Sequence, residues 1–358
     1  MIRRELSEKC EHLEPLGAGE LRELYETATL SELGMAAHRV RMRKADPGRV
    51  TYIVDRNINY TNLCVSGCRF CAFYKPPGHK DGYVISKETL SEKIREAQEL
   101  GAVQILLQGG MNPDLGLGYY TDLLSYIREN HGIHVHGFSP PEIMHLAALE
   151  KMSLDSTLKA LIDAGLHSIP GGGAEILADS ARSRVSPRKC STAQWLEVMR
   201  TAHGLGMKTT ATMMFGHGES LEERIGHLMA LRSLQHETRG FTAFIPWSFQ
   251  PGNTELARQK TVGGHEYLAM LALSRIALHN FPHIQLSWVT QGARVGQVAL
   301  FFGADDFGST MIEENVVAAA GVAFRMDIQT LERLIRSAGF EPCRRNQAYE
   351  LLPVEGKP

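Results

Sequence analysis

The sequence lacks a surplus of charge of either sign. It holds 38 Lys and Arg residues against 40 Asp and Glu residues, which gives a formal net charge of −2 at pH 7. A nucleic-acid-binding surface needs clustered positive charge, whereas the basic residues here are scattered along the chain. We therefore expect no nucleic-acid partner.

The sequence also lacks long apolar runs. No stretch reaches the length that a membrane-spanning helix needs. The first ten residues, MIRRELSEKC, carry charges and no apolar core, so they do not resemble a secretory signal. Six cysteines with three of them clustered fit a reducing compartment. We expect a cytoplasmic protein with no membrane partner.

What the sequence does contain is three cysteines in one short run. Cys64, Cys68 and Cys71 follow the spacing C-x3-C-x2-C within TNLCVSGCRFCAFY. Three thiolates this close together can hold three corners of an iron–sulfur cluster and leave one iron open to a substrate or cofactor. Two alternatives stay open. One is a structural zinc site with His79 as a fourth ligand, and the other is three unrelated thiols.

The hydrophobic pattern divides the chain into three parts. Residues 1–48 have helical spacing and predict a helical extension. Over 49–321, strand-like runs such as VQILLQ and KTTATMMF alternate with helical patterns, which predicts parallel strands covered by helices. An open doubly wound sheet and a closed barrel both fit that alternation. Residues 322–358 predict a helical C-terminal addition, and no linker or internal repeat divides the catalytic part.

The cysteine run, followed by Ala72-Phe73-Tyr74, resembles the signature of the radical S-adenosylmethionine enzymes. The later segments FIPW, WVTQG and DFGSTMIEENVV resemble the dehypoxanthine futalosine cyclase family of that superfamily, which serves menaquinone biosynthesis by the futalosine pathway. The similarity runs from about residue 50 to 321. It implies an α/β fold of the (β/α)8 TIM-type barrel class, a [4Fe-4S] cluster on the three cysteines, and S-adenosylmethionine as the second cofactor. Aminofutalosine synthase and the deazaflavin chromophore synthase share these patterns and remain alternatives.

The resemblance also implies a reaction. A 5′-deoxyadenosyl radical takes hydrogen from the ribose of a nucleoside-like small molecule, and the ribose carbon then adds to the substrate's own benzoate ring. An external one-electron reductant of the flavodoxin or ferredoxin type supplies the electron. From other classes, a non-catalytic iron–sulfur carrier and a zinc-stabilised barrel hydrolase stay open.

Polar and glycine-rich strand ends supply the candidate cofactor ligands. A carboxylate and a guanidinium suit the amine, carboxylate and ribose hydroxyls of S-adenosylmethionine, although Glu175 and Arg182 could equally be a surface ion pair. Ser139 and Glu142 could bind hydroxyl groups or merely cap a helix. The resemblance implies that the cofactor is held by Tyr74, Gly109, Gly110, Glu175 and Arg182, and we add Ser139 and Glu142 to this group.

The substrate side is predicted from late strand ends. His217, which lies between two glycines, is a candidate catalytic residue. Trp288 and Gln291 combine an aromatic ring with an amide, which suits an aromatic substrate bearing hydroxyl groups, although such aromatics could equally pack the barrel mouth. The loop 303–315 holds four carboxylates, of which Asp306 and Glu313 are our candidates for the catalytic base. These acids could instead only decorate a helix entry.

Two positions depart from the pattern that the resemblance implies. Ser66-Gly67 between the first two cysteines is unusual, and Asp305 stands where we expect asparagine. Neither removes a candidate cluster ligand.

Overall fold

The computed structural model describes residues 2–322 and 324–353. The outer ends of the predicted extension and addition, and residue 323, lie outside the described residues. The strands are β1 (Arg49–Ile53), β2 (Asp55–Asn59), β3 (Gln104–Gln108), β4 (His134–Gly137), β5 (Ser168–Ile169), β6 (Lys208–Phe215), β7 (Phe241–Ser248), β8 (His283–Ile284), β9 (Asp306–Ser309) and β10 (Glu341–Arg344). The helices are α1 (Arg4–His12), α2 (Ala18–Thr27), α3 (Leu30–Lys44), α4 (Lys87–Glu99), α5 (Leu117–Asn130), α6 (Pro140–Leu149), α7 (Leu154–Ala164), α8 (Asp179–Val185), α9 (Thr192–Gly204), α10 (Leu221–Thr238), α11 (Gly264–Ala277), α12 (Trp288–Ala299), α13 (Val316–Ala319) and α14 (Ile328–Ser337).

Several helices begin at a hydroxyl or carboxylate that caps the first turn. Each cap accepts a hydrogen bond from a backbone N–H that has no partner within the helix. The capping residues are Thr29, Ser86, Ser153, Ser191, Ser220 and Asp327.

Within residues 2–322 and 324–353, no helix is long and apolar enough to cross a membrane.

Seven parallel strands form one curled sheet in the order β2-β3-β4-β5-β6-β7-β8. Strand β9 closes the ring. On one side the N–H of Leu286 donates to the carbonyl of Asp306 at 3.0 Å, and on the other the N–H of Thr310 donates to the carbonyl of Ile53 at 3.1 Å. The predicted TIM-type α/β barrel is therefore confirmed, and the carboxyl ends of its strands share one face, where such barrels carry their sites.

The N-terminal helices pack on the outside of the barrel. Helix α11 is buried along nearly its whole length because α3 packs against its outer side. Gly34 of α3 leaves room for the ring of Phe302, which a Cβ at this position would meet. The extension therefore completes the core instead of standing apart from it.

The C-terminal segment, predicted as helical, also contributes a strand and a plug. After α14, strand β10 pairs with β1 in parallel, and the chain then enters the barrel at the end where the strands begin. There the side chain of Tyr349 stacks on His283 with 3.7 Å between ring centroids, and Gln347 lies 3.4 Å from Nε2 of His136. The segment 345–349 thus forms the floor of the barrel interior.

Arg345 and Asp306 form a fully buried ion pair in that floor. The guanidinium donates to both carboxylate oxygens, with Nη2 2.9 Å from Oδ1. Replacing Arg345 with methionine is expected to lower the free energy of unfolding by about 3–5 kcal/mol, because the carboxylate stays buried without a cation. Urea denaturation followed by circular dichroism measures the change.

The matched control removes both charges. The double variant Arg345→Met with Asp306→Asn should unfold at higher urea than Arg345→Met alone, since no charge is then left unpaired in the floor. If Arg345→Met unfolds at the urea concentration of the wild type, the ion pair contributes nothing.

Candidate active site

The three cysteines lie on one loop that follows β2. The Ser66 hydroxyl lies between two of the sulfurs, 3.2 Å from Sγ of Cys64 and 3.1 Å from Sγ of Cys68. Backbone N–H groups of Ser66 and Met111 point at Sγ of Cys64 from 3.4 and 3.3 Å. Such N–H donors stabilise the negative charge that sulfur carries when it binds iron. The unusual Ser66 is therefore in direct contact with two candidate cluster ligands.

The zinc alternative required His79 to face the cysteines. Its ring is instead held within its own turn, where Nδ1 accepts from the N–H of Asp81 at 3.1 Å. Across the described part of the chain, no group of three or more His, Cys, Asp or Glu side chains is arranged to hold a single metal ion. Three soft thiolates on one loop suit the several irons of a cluster better than one zinc ion.

Gly109 and Gly110 end β3 against this loop. A Cβ on Gly110 would collide with the Leu63 carbonyl and Cβ of Cys64, and one on Gly109 would collide with the Tyr60 ring. The glycines therefore allow the strand end to pack directly behind the cluster ligands. Their predicted contact with S-adenosylmethionine stays a prediction, as does that of Tyr74.

Glu142 lies just behind the same strand end. The Tyr60 hydroxyl donates to Oε1 at 2.5 Å, the N–H of Gly109 donates to Oε1 at 3.0 Å, and the Ser139 hydroxyl donates to Oε2. Burial raises the pKa of Glu142 to about 7 although these three donors act in the opposite direction. Ser139 and Glu142 therefore hold the end of β3 in place. The carboxyl group of Glu142, with its raised pKa, lies close to the cysteine loop.

The second candidate pair lies near the cluster loop as well. Arg182 is 3.7 Å from Glu175, but its guanidinium is already occupied by the backbone carbonyls of Gly173, Ala174 and Cys190 at 2.6–3.1 Å. It shapes the loop that carries Glu175. The Oε1 atom of Glu175 instead accepts from Nζ of Lys189 at 2.9 Å, and its Oε2 atom is buried without a hydrogen-bond partner.

Lys189 was not singled out from the sequence. Burial opposes its charge, but the Cys68 sulfur and the Glu175 carboxylate outweigh burial and raise the pKa of Lys189. Its ammonium also lies 5.0 Å from the centroid of the Phe70 ring. A half-buried cation therefore stands between the cysteine loop and Glu175. The only sequence signal was its position two residues after Ser186-Pro187.

His217 lies on this side of the barrel too. Its Nδ1 is 3.3 Å from Oε2 of Glu219, which is itself held by Arg224, and its Nε2 is buried without a partner. Burial lowers the pKa of His217, while the carboxylates of Glu219 and Glu175 act in the opposite direction. His217 and Glu175 thus each keep one buried polar atom that has no hydrogen-bond partner among the described residues.

A cavity of about 270 Å³ fills the barrel interior below this region. Its upper rim includes Gly172, from the same loop as Glu175, and its floor includes Arg345 and Gln347. Trp288 lines the cavity as predicted, with Nε1 donating to the carbonyl of Ser309 at 2.9 Å. Gln291 is not among the lining residues, because its amide donates to the Ser248 hydroxyl at 2.6 Å.

The two predicted bases do not reach this cavity. Asp306 is paired with Arg345 and accepts further hydrogen bonds from Thr51 and Gly308. Glu313 points away from the interior, toward Arg56 and Lys93 at 2.7 Å, and these partners hold its pKa below its usual value despite burial. The expectation that either acid faces the substrate cavity is therefore corrected.

The neighbouring acid Glu314 does line the cavity. It accepts backbone hydrogen bonds from Val316, Val317 and Ala318 at 2.8–3.0 Å, and burial raises its pKa although these donors oppose the shift. A carboxylate with a raised pKa is a better proton acceptor than an ordinary one.

Comparisons with known proteins agree with this geometry. Residues 58–231 match the family model of the radical SAM superfamily, and residues 238–357 match the family model of the CofH/MqnC C-terminal region. Cyclic dehypoxanthine futalosine synthase of Halalkalibacterium halodurans is 47% identical over 92% of this chain and 89% of its own length. The chain belongs to the CofH/MqnC family of radical S-adenosylmethionine enzymes.

Other relatives of this family carry two names. The Streptomyces coelicolor protein, also named cyclic dehypoxanthine futalosine synthase, is 43% identical over 94% of the chain and 85% of its own length. An Archaeoglobus fulgidus protein named 5-amino-6-(D-ribitylamino)uracil–L-tyrosine 4-hydroxyphenyl transferase is 42% identical over 85% of the chain and 89% of its own length. Among solved structures, methylornithine synthase superposes with a TM-score of 0.75 over 95% of the chain and 97% of its own length, at 19% identity.

This CofH/MqnC family enzyme uses a [4Fe-4S] cluster and S-adenosylmethionine as cofactors. The residues present fit both groups. The cysteine loop offers three thiolates with N–H donors around one sulfur, and the unpartnered atoms of Glu175 and His217 beside Lys189 suit the amine, hydroxyls and carboxylate of the second cofactor.

Replacing Lys189 with methionine is expected to weaken binding of S-adenosylmethionine. A charge-assisted hydrogen bond contributes about 1.5–3 kcal/mol, so the dissociation constant should rise about tenfold to a hundredfold. Anaerobic equilibrium dialysis on the reconstituted protein measures this. Lys93→Met, which removes a lysine that binds Glu313 outside the cavity, is the control and should leave the constant unchanged. An unchanged constant in Lys189→Met contradicts the assignment.

Proposed function

We propose that this enzyme is a cyclic dehypoxanthine futalosine synthase, converting dehypoxanthine futalosine to its cyclic form for menaquinone biosynthesis. The relatives that bear this name, 47% and 43% identical to this chain, carry the proposal, and the cavity is compatible with it. The cavity next to the cofactor residues combines amides with tryptophans, which suits one molecule that has both a sugar and an aromatic ring.

When bound, the reduced cluster and S-adenosylmethionine supply a 5′-deoxyadenosyl radical that takes a hydrogen atom from the substrate's ribose. The ribose carbon would then form a bond to the benzoate ring, and the ring would regain its aromaticity by losing one proton to a base and one electron to the oxidised cluster or the external one-electron carrier. The protein's contribution is to hold ribose and ring against each other and to exclude water. The floor of Arg345 and Gln347 closes the cavity from below, away from solvent.

The proton is the one species that a side chain must accept in this scheme. Glu314 is the acid of the 303–315 loop that lines the cavity, and its raised pKa suits the task. We assign it as the base in place of Glu313. His217, on the cofactor side, is assigned to cofactor contact and not to proton transfer from the substrate.

A second candidate function follows from the archaeal relatives. Their printed name describes transfer of a hydroxyphenyl group from tyrosine to a ribitylaminouracil, and a cavity with amides and tryptophans also suits an aromatic ring and a hydroxylated chain. Both candidates use the same cofactors, so the substrate alone separates them.

The test is an anaerobic incubation of the reconstituted, reduced enzyme with each substrate set in turn. We expect 5′-deoxyadenosine and a product lighter by two hydrogen atoms from dehypoxanthine futalosine, detected by mass spectrometry. Turnover only with tyrosine and the ribitylaminouracil assigns the second candidate. 5′-Deoxyadenosine with neither product rejects both, and no 5′-deoxyadenosine from protein with an intact cluster favours a non-catalytic carrier.

The reductant and the compartment are part of the same proposal. Arg188 is exposed, lies over Gly67 of the cysteine loop, and donates to the carbonyl of Ser66 at 3.2 Å. Arg69 and Arg184 are exposed close by. These cations suit an acidic one-electron donor of the flavodoxin or ferredoxin type. A cytoplasmic location supplies such donors and keeps the cysteines reduced.

A further inference from the structure

One wall of the barrel interior is unusually polar. The inward side chains of β2 and β3 that line the cavity include Asp55, Asn57, Gln104 and Gln108. Barrels of this class usually fill such positions with branched apolar residues. A polar group buried there costs free energy unless it finds a partner. The wall is therefore built for a ligand or for internal hydrogen bonds.

Internal hydrogen bonds account for only part of this wall. The carbonyl oxygens of the Asn57 and Gln104 side chains are buried without a partner, and each residue is 3% exposed. In Gln104 the amide nitrogen donates to Oδ2 of Asp55 at 2.7 Å. The Ser309 hydroxyl donates to the other oxygen of Asp55. This pairing fixes the orientation of the Gln104 amide, because a carboxylate accepts hydrogen bonds and does not donate them.

The two unpartnered oxygens belong to neighbouring strands. Asn57 of β2 is in register with Leu106 of β3, two residues after Gln104, so both residues face the same side of the sheet. Each oxygen can only accept. A ligand that satisfies both must therefore donate, as hydroxyl groups do, whereas a carboxylate would meet two acceptors and the nearby Asp55.

The opposite wall has the other chemistry. Ile245 and Trp247 of β7 line the cavity on this wall, and Trp288 at the start of α12 lines it next to β9, where its Nε1 donates to the carbonyl of Ser309. In the ring of strands closed by β9, β7 is four strands from β3 and so lies across the interior. The cavity thus presents amide oxygens on one side and aromatic surface on the other.

We propose that Asn57 and Gln104 accept hydrogen bonds from the sugar hydroxyls of the substrate while Trp247 and Trp288 contact its aromatic ring. This inference rests on the proposed function and deepens it, because it names the residues that orient the two halves that must join. The polar wall then sets the ribose in position, and the aromatic wall sets the ring that it attacks.

The test uses substrate binding and needs no turnover. Two of the chain's three tryptophans line the cavity, so quenching of tryptophan fluorescence reports on binding. Asn57→Leu and Gln104→Met remove one acceptor each at nearly constant volume. We expect each to raise the dissociation constant of dehypoxanthine futalosine about tenfold, the size typical of one lost buried hydrogen bond. Asn57→Leu leaves the Asp55 contacts intact, so it decides the matter if Gln104→Met does not fold.

A substrate analogue with hydrogen in place of the sugar hydroxyls completes the cycle. The wild type should bind the analogue more weakly than it binds the substrate. The dissociation constant of the analogue should be nearly the same for Asn57→Leu as for the wild type. Leu106→Ala, which alters the same wall without removing an acceptor, should weaken both ligands by the same factor. If Asn57→Leu also weakens both ligands equally, or neither, the inference is overturned while turnover by the wild type keeps the proposed function. A wild type that neither binds nor converts the substrate overturns both.

Discussion

Replacing Cys68 with alanine is expected to abolish the iron–sulfur cluster and with it all formation of 5′-deoxyadenosine. Cys68 is 4% exposed, and burial raises the pKa of its thiol to about 11, so the free thiol is neutral at ordinary pH. Iron binding makes it a thiolate, and no other cysteine lies on this loop except Cys64 and Cys71. Two thiolates do not hold a cluster whose fourth iron must stay open.

Cys343→Ala provides the matched control for this loss. Cys343 lies on β10, outside the cysteine loop, and its substitution should leave iron, sulfide and visible absorbance at the wild-type level. The variants are compared by iron and sulfide analysis after anaerobic reconstitution. A full complement of iron and sulfide in Cys68→Ala contradicts the assignment of this residue as a ligand.

Replacing Glu314 with glutamine is expected to slow product formation by about 10²–10⁴-fold, the usual contribution of a positioned base. 5′-Deoxyadenosine should still form, because Glu175, Lys189 and His217, the residues proposed to bind the cofactor, are untouched. In the wild type, the raised pKa of Glu314 should make product formation fall on acidification at a higher pH than for an ordinary glutamate, because the protonated acid cannot accept a proton. That acid limb should be missing from Glu314→Gln.

Glu313→Gln tests the same chemistry one residue away. Its side chain binds Arg56 and Lys93 instead of facing the cavity, so product formation should keep its pH profile. The ratio of product to 5′-deoxyadenosine is measured for both variants across pH. An unchanged ratio in Glu314→Gln, with a collapse in Glu313→Gln, reverses the assignment.

Local patterns were enough for parallel strands covered by helices and for the cysteine loop, whereas the choice of a barrel over an open sheet came from the family resemblance. Alternating strand and helix signals come from neighbouring residues, and C-x3-C-x2-C places its three sulfurs on one loop whatever the rest of the chain does. The cofactor contact of Gly109 and Gly110 stays a prediction, and the structure shows that the two glycines make room for Leu63 and Tyr60.

The acids of the 303–315 loop show where local reasoning ends. Glu313 and Glu314 are adjacent, yet one binds Arg56 and Lys93 and the other lines the cavity. The orientation depends on α13, whose backbone N–H groups hold Glu314, and a sequence pattern does not fix it. Asp306 was misplaced for a related reason, since its partner Arg345 lies in a distant segment.

The C-terminal segment was the largest gap in the prediction of the fold. Its helix was visible in the sequence, but β10 is short, and only pairing with β1 makes it a strand. Arg345, Gln347 and Tyr349 form the floor because the pairing of β10 with β1 directs the residues after β10 into the barrel. Asp305, unexpected in the resemblance, also joins this region through its contacts with Arg275 and His283.

The most direct test of the account is isotope transfer. Dehypoxanthine futalosine carrying deuterium at the 4′ carbon of its ribose is incubated anaerobically with the reconstituted, reduced enzyme and S-adenosylmethionine, and the 5′-deoxyadenosine is analysed by mass spectrometry. The account predicts 5′-deoxyadenosine carrying deuterium and a cyclic product without it. Unlabelled 5′-deoxyadenosine together with a product that keeps the deuterium would contradict hydrogen abstraction from the ribose, and with it the proposed reaction.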